Sequence, residues 1–128
     1  MSCVFDASST VAYLLGEASE DERAAMVGEP HAPALLDVEV TQTLRGLLRG
    51  EKIDLDTAEQ ALEELGKLAL RRIPDTALLA RAWELRDACS TYDGLYVALA
   101  EGLGVALVTR DAQLARGARE LVDLIAPD

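Results

Sequence analysis

The stretch that most constrains the fold is TYDGLYVALAEGLGVALVTRD, residues 91–111. Its middle part, Leu95–Ala100, is apolar on nearly every side, which is typical of a helix buried against a sheet. A glycine, Gly102 or Gly104, ends this helix, and Val105–Val108 follows as the clearest strand of the chain. A buried helix that leads directly into a buried strand indicates a βαβ unit and therefore a parallel sheet.

The rest of the chain repeats this alternation of short strands and amphipathic helices. Cys3–Asp6 predicts a first strand, Leu68–Ile73 another, and Leu121–Ile125 a last one. We expect at most a brief strand at His31–Ala34, because prolines interrupt it. The interpretation is an α/β fold with helices in excess.

Helix boundaries follow from capping residues and glycines. A helix with a regular apolar stripe is predicted over Leu35–Leu48, with Gly50 after it. The spacing of Asp56 and Glu59 resembles a capping box and predicts the start of the next helix. Asp75 or Thr76 is expected to start another.

Length and composition predict a single globular domain over residues 1–128, which is 50% hydrophobic and 27% charged. We expect a cytoplasmic protein, because no apolar run is long enough to span a bilayer and no signal-peptide core precedes the first strand. Cys3 and Cys89 are isolated and read as free thiols. His31, the only histidine, falls in a predicted loop without a second His or Cys nearby, so the pattern does not support zinc.

The net charge of −11 argues against a protein that coats nucleic acid with basic surface alone. A nucleic-acid substrate would need bound cations and local arginines. Basic residues occur in small groups, and most of them are expected on solvated helix faces: Arg45, Arg49 and Lys52; Arg71 and Arg72; Arg110 and Arg116.

Four acids stand where apolar stretches give way to helices: Asp6, Glu39, Asp93 and Asp111. If the apolar stretches are parallel strands, their carboxyl ends share one edge of the sheet, where open α/β folds place their sites. Four carboxylates gathered there repel one another unless a cation such as Mg²⁺ or Mn²⁺ joins them. Each acid alone also has a local explanation as a helix cap or first-turn acid.

The strings around these acids resemble the motifs of PIN-domain nucleases, and more narrowly those of the VapC toxins of bacterial toxin–antitoxin pairs. They are FDAS at residues 5–8, LDVEV at 36–40, YDGLYVALA at 92–100 and VTRD at 108–111. The resemblance covers essentially the whole chain, and residues 92–100 are its most specific part. One departure is Gly94, where such toxins more commonly have Ala; the expected cost is a little helix propensity.

The resemblance implies a three-layer α/β/α sandwich around a short parallel sheet. It implies Asp6, Glu39, Asp93 and Asp111 as Mg²⁺-binding acids of an endoribonuclease, with Mn²⁺ able to substitute, and Ser8 and Thr109 as residues that orient a ligand or water. It also implies a cognate VapB-like antitoxin that inserts a segment, often carrying Arg, into the acidic cleft. A homodimer or a toxin–antitoxin hetero-oligomer is expected, and the number of metal ions stays open.

Other classes of protein fit less well. A response-regulator receiver domain needs a Lys after a late strand, but the only lysines are Lys52 and Lys67. A haloacid-dehalogenase-type phosphatase needs a second Asp close after Asp6. The stronger alternative is a non-catalytic PIN-like module that binds RNA or protein; the presence of all four acids argues against it.

Overall fold

A five-stranded parallel sheet lies at the centre of the computed structural model, which describes residues 1–127. Its strands are β1 (Ser2–Phe5), β2 (Glu29–Pro33), β3 (Arg71–Ile73), β4 (Ala106–Val108) and β5 (Leu124–Ile125). The α-helices are α1 (Ala7–Leu14), α2 (Glu20–Met26), α3 (Leu35–Arg49), α4 (Leu55–Lys67), α5 (Leu79–Glu84), α6 (Thr91–Leu103) and α7 (Ala112–Ala118). A single 3₁₀ turn, Asp75–Ala77, precedes α5.

The strands are ordered β3-β2-β1-β4-β5, so the chain reverses direction across the sheet after β3 and returns to pair β4 with β1. Right-handed crossovers then place the helices of the first two connections on one face and the later helices on the other. This confirms the predicted three-layer α/β/α sandwich with a short parallel sheet. The carboxyl ends of β1 and β4 flank the point where the strand order reverses, which is where such sheets bind ligands.

Helix α6 is the most buried helix element, as its sequence predicts. Every residue from Gly94 to Ala100 is buried, and the helix packs against β1, β2 and β4. Gly104 ends it in the left-handed conformation, with φ of 67°, and its N–H bonds to carbonyls of the last turn.

Gly94 does more than lower helix propensity. A Cβ at this position would lie 3.2 Å from the Cβ and 3.3 Å from the Cα of Ala82 on α5. Both contacts are tighter than ordinary van der Waals packing, so alanine would push α5 away from α6. Glycine at this position therefore goes with a close approach of these two helices.

The brief strand expected at His31–Ala34 is present as β2, but it begins two residues earlier, at Glu29, and ends at Pro33. It lies inside the sheet between β1 and β3, so the prediction of a loop at His31 is wrong: this residue belongs to the strand and is 8% exposed. Pro30 and Pro33 are close to its two ends, so the N–H groups that they lack are missing only where pairing begins and stops.

Two helix starts also differ from the prediction. Asp54, not Asp56, caps α4 by accepting a bond from the backbone N–H of Thr57, 2.8 Å away. Because α3 begins at Leu35, Glu39 lies in its second turn and is not a first-turn acid. Cys3 and Cys89 are free thiols, as expected. Within residues 1–127, no helix combines the length and the apolar character needed to cross a membrane.

Candidate functional site

A cleft of about 450 Å³ opens at the carboxyl edge of the sheet. All four acids singled out in the sequence line it: Asp6, Glu39, Asp93 and Asp111. We call it the acid cleft. Asp6 directly follows β1, Asp111 closely follows β4, and the other two acids come from α3 and α6. The tertiary structure thus brings together carboxylates that are up to 105 positions apart along the chain.

Asp6 is the deepest of the four, with 4% of its surface exposed. Its carboxylate caps α1 by accepting the backbone N–H of Ser9 at 2.9 Å, so the capping interpretation of this residue also holds. The hydroxyl groups of Ser8 and Ser9 lie 2.8 Å from it, and the hydroxyl of Thr109 donates to Oδ2. Ser8 and Thr109 therefore orient Asp6 itself.

Glu39 is held by a tyrosine from another helix. The Tyr96 hydroxyl, on a side chain that is 2% exposed, donates a hydrogen bond to Glu39 Oε1. Asp75 accepts the backbone N–H of Leu35 at 3.0 Å and so caps the start of α3, the helix that carries Glu39. Tyr96 thus sets the direction of the carboxylate, and Asp75 anchors the helix beneath it.

Asp93 and Asp111 sit at helix starts. The backbone N–H of Asp93 bonds to the Ser90 cap at 3.1 Å, which leaves its side chain facing the acid cleft. Asp111 caps α7 through one oxygen, Oδ1, which accepts the N–H groups of Gln113 and Leu114. Its other oxygen is not used by the cap.

No basic side chain is among the described residues that line the acid cleft. Burial and then the negative charges of Asp111, Glu39 and Asp6 raise the pKa of Asp93 to about 6. Burial likewise raises the pKa of Glu39; the hydrogen bond from Tyr96 opposes this rise, and the charges of Asp6, Asp75 and Asp111 add to it. The acid cleft therefore disfavours its own full ionisation.

A divalent cation fits this chemistry, because oxygen-only ligands and unbalanced negative charge are what Mg²⁺ and Mn²⁺ prefer. No three acidic, histidine or cysteine side chains within residues 1–127 are arranged closely enough to enclose an ion by themselves. Mg²⁺ usually keeps several of its waters and takes only one or two carboxylates directly. The donor set fits an ion held partly through water.

The nearest arginine in sequence is turned away from the acids. Arg110 stands between Thr109 and Asp111, but its guanidinium bonds to the buried carboxylate of Glu22 at 2.8 and 2.7 Å. Arg72 is likewise paired with Asp37 on α3, at 2.9 Å. The expectation of solvated faces is therefore wrong for Arg110 and Arg72.

Sequence reasoning missed three contributors to this site. Tyr96 is the one polar side chain within Leu95–Ala100. Because a buried tyrosine hydroxyl usually has a hydrogen-bond partner, its position in this apolar stretch was a usable signal. Asp75 follows β3 at the same sheet edge as the other acids, although its sequence context predicts only a helix start. The hydrogen bond from the Ser9 hydroxyl to Asp6 had no specific signal in the sequence.

Known proteins are similar to this chain over most of its length. Residues 3–120 match the family model described as "PIN domain". Ribonuclease VapC9 of Mycobacterium tuberculosis is 39% identical over 111 residues, covering 87% of each chain. Ribonuclease VapC12 of the same species is 37% identical over 127 residues, covering 96% of this chain and 98% of its own.

Solved structures share the fold. PAE2754 from Pyrobaculum aerophilum superposes with a TM-score of 0.70 at 23% identity, covering 96% of this chain and 83% of its own. VapBC2 from Rickettsia felis, solved bound to a DNA fragment from its promoter, has a TM-score of 0.67 at 13% identity and full coverage of both chains. From the family model and the identity to its relatives, the chain belongs to the PIN-domain family and, within it, to the VapC group.

Proposed function

We propose that this chain is a Mg²⁺-dependent endoribonuclease and the toxin of a VapBC-type toxin–antitoxin pair. The observation that carries the proposal is the acid cleft: four carboxylates from different parts of the chain, without a basic side chain among the described lining residues. The relatives are named ribonucleases, which supports RNA as the substrate.

The four acids would hold the cation, and Mn²⁺ would replace Mg²⁺. When bound, such an ion lowers the pKa of a water and stabilises charge on the leaving oxygen during in-line attack on a phosphodiester. The chain's own part is to keep the carboxylates in place before substrate arrives: hydroxyls fix Asp6, and Tyr96 fixes Glu39. No covalent nucleophile from the protein is required.

The experiment is RNA cleavage by protein freed of metal and then supplied with Mg²⁺ or Mn²⁺. Asp93→Asn should lower cleavage more than about 100-fold, because even residues that only orient metal ligands are worth 10–100-fold. Asp56→Asn, at an exposed acid in the first turn of α4, is the matched control and should cut normally. Wild-type protein that folds but cuts no RNA with either ion contradicts the proposal and favours a non-catalytic PIN-like module.

For the RNA path, we propose a groove that continues from the acid cleft along α3. Val38 and Gln42 line both the acid cleft and this groove, and Arg45 lies at its far part. Arg45 would contact a substrate phosphate. Arg45→Ala should raise KM a few-fold with kcat nearly unchanged, and it should weaken the salt dependence of binding. Arg119→Ala, on a different surface, is the control.

An antitoxin is the proposed protein partner, since structural neighbours include VapBC2 and a toxin–antitoxin complex from Klebsiella pneumoniae. A segment with Arg entering the acid cleft would supply the positive charge that its described lining lacks. A homodimer or hetero-oligomer is part of the same proposal. The test is the molar mass of the purified protein in solution, measured alone and mixed with the protein encoded by a neighbouring small reading frame. A monomer whose mass does not change on mixing contradicts the proposal.

A further inference from the structure

We propose that the ion pair between Glu22 and Arg110 is a positioning device for the acid cleft. It would fix the turn Thr109–Asp111, and through it the geometry of Asp6 and Asp111 on which cation binding depends. This inference rests on the proposed function. Glu22 belongs to α2, a helix that contributes no lining residue to the acid cleft, and it lies outside the sequence motifs around the four acids.

The pair is built on a fixed base. The Glu22 side chain is fully buried, and its Oε1 accepts both the N–H of Ser19 at 2.8 Å and Nη2 of Arg110 at 2.7 Å. Oε2 accepts Nε of Arg110 at 2.8 Å. Nη2 also donates to the carbonyl of Glu17 at 2.9 Å. The guanidinium is therefore held by α2, through Glu22, and by the α1–α2 connection, through the carbonyl of Glu17.

The backbone of Arg110 connects this pair to the acids. Its N–H donates to Ser8 Oγ at 2.9 Å, and the Ser8 hydroxyl in turn lies 2.8 Å from Asp6. On one side, the Thr109 hydroxyl donates to Asp6 and accepts the N–H of Asp111 at 3.0 Å. Any displacement of residue 110 would therefore move hydrogen-bond partners of Asp6 and the backbone of Asp111 together.

The chemistry of the pair supports orientation as its role. A buried ion pair is a weak way to gain stability, because the cost of desolvating two charges offsets much of their attraction. A bidentate guanidinium–carboxylate contact does restrict direction and rotation more than an apolar contact of the same size. Lysine at residue 110 would keep a positive charge near Glu22 and lose that planar geometry.

The test compares Glu22→Gln and Arg110→Lys with wild type at a temperature where thermal unfolding shows all three folded. Arg110→Lys keeps a cation for Glu22 and so guards against loss of folding. Glu101→Gln is the matched control, because it breaks another bidentate pair, with Arg81 at 2.7 and 3.0 Å between α5 and α6. Three quantities are measured: Mn²⁺ affinity by calorimetry, kcat and KM for RNA, and amide hydrogen exchange of metal-free protein.

We expect both variants to bind Mn²⁺ about 10–100-fold more weakly and to lose kcat more than KM. In metal-free protein, the amides of Arg110 and Asp111 should exchange at least about 10-fold faster than in wild type, with Glu101→Gln within about two-fold of wild type in every readout. If the wild type binds Mn²⁺ and cuts RNA, and Glu22→Gln and Arg110→Lys match it in all three readouts, this inference is overturned and the proposed function stands. Wild-type protein that neither binds Mn²⁺ nor cuts RNA overturns the proposed function, and this inference with it.

Discussion

Asp6 and Glu22 are both almost completely withdrawn from water, at 4% and 0% exposure, yet their surroundings are opposite. Hydrogen bonds from Arg110, which also supplies opposite charge, lower the pKa of Glu22 to about 2. Asp6 receives only hydroxyl and N–H donors, and burial raises its pKa despite them. A buried acid that has its own cation is already neutralised within the fold. A buried acid without one is suited to a cation from solution.

The largest effect on stability should appear when the Arg110 guanidinium, the partner of Glu22, is removed. Arg110→Met leaves Glu22 buried without a charge partner and should lower the free energy of unfolding by about 3 kcal/mol. Arg81→Met is the control: its partner Glu101 is 31% exposed, so the loss should stay below about 1 kcal/mol. Urea unfolding at pH 7 measures both. Equal losses would mean that burial does not distinguish the two ion pairs.

Adding Mg²⁺ or Mn²⁺ should change the free energy of unfolding by nearly as much. At Mg²⁺ or Mn²⁺ concentrations about 100 times Kd, the wild type should gain about 2.7 kcal/mol of stability over protein in EDTA. Asp93→Asn should gain much less, because it lacks one of the cleft carboxylates. Thermal unfolding with and without the ion provides the measurement. A gain of the same size in Asp93→Asn would place the ion elsewhere.

In metal-free protein, the stability contributions of Asp93 and Glu22 should change with pH in opposite directions. The raised pKa of Asp93, from 3.8 to about 6, gives stability that is present below pH 3.8 and lost as pH rises through 6. The lowered pKa of Glu22, from 4.5 to about 2, gives stability that is present above pH 4.5 and lost as pH falls through 2.

Unfolding free energies of wild type, Asp93→Asn and Glu22→Gln across these windows test the signs. The advantage of wild type over Glu22→Gln should grow by about 1–3 kcal/mol between pH 2 and 4.5. The unfolding free energy of the wild type relative to that of Asp93→Asn should instead fall as pH rises from 4 to 7. Parallel curves for the two comparisons would remove the distinction between the acids.

The smallest effect is expected at Tyr96. Tyr96→Phe removes the hydroxyl that donates to Glu39 and should lower the free energy of unfolding by about 1 kcal/mol. Tyr13→Phe, at a partly exposed tyrosine on α1, should change it by less than about 0.5 kcal/mol. If the two tyrosines prove equivalent in chemical denaturation, the bond to Glu39 contributes nothing measurable.

Much of the fold could be predicted from local patterns. Apolar periodicity predicted the buried helix α6, the strand after it and the apolar stripe of α3, because each buried face leaves a pattern in its own short stretch of sequence. For β2 only a brief strand could be predicted in this way, since its two prolines weaken the strand signal, and its place inside the sheet follows only from its pairing with β1 and β3. The cap of α4 was misplaced by two residues because two acids there have similar capping chemistry.

For the site, the sequence by itself determined which acids follow the apolar stretches and hence which could meet at the sheet edge; the metal-binding roles of Asp6, Glu39, Asp93 and Asp111 stay predictions. Only the tertiary structure decided their surroundings: that Arg110 turns to Glu22, that Tyr96 donates to Glu39, and that the described lining of the acid cleft has no basic side chain. The physical reason is separation along the chain. Capping and periodicity act within a few residues, whereas Glu22 and Arg110 are 88 positions apart, and only folding determines which charges are neutralised.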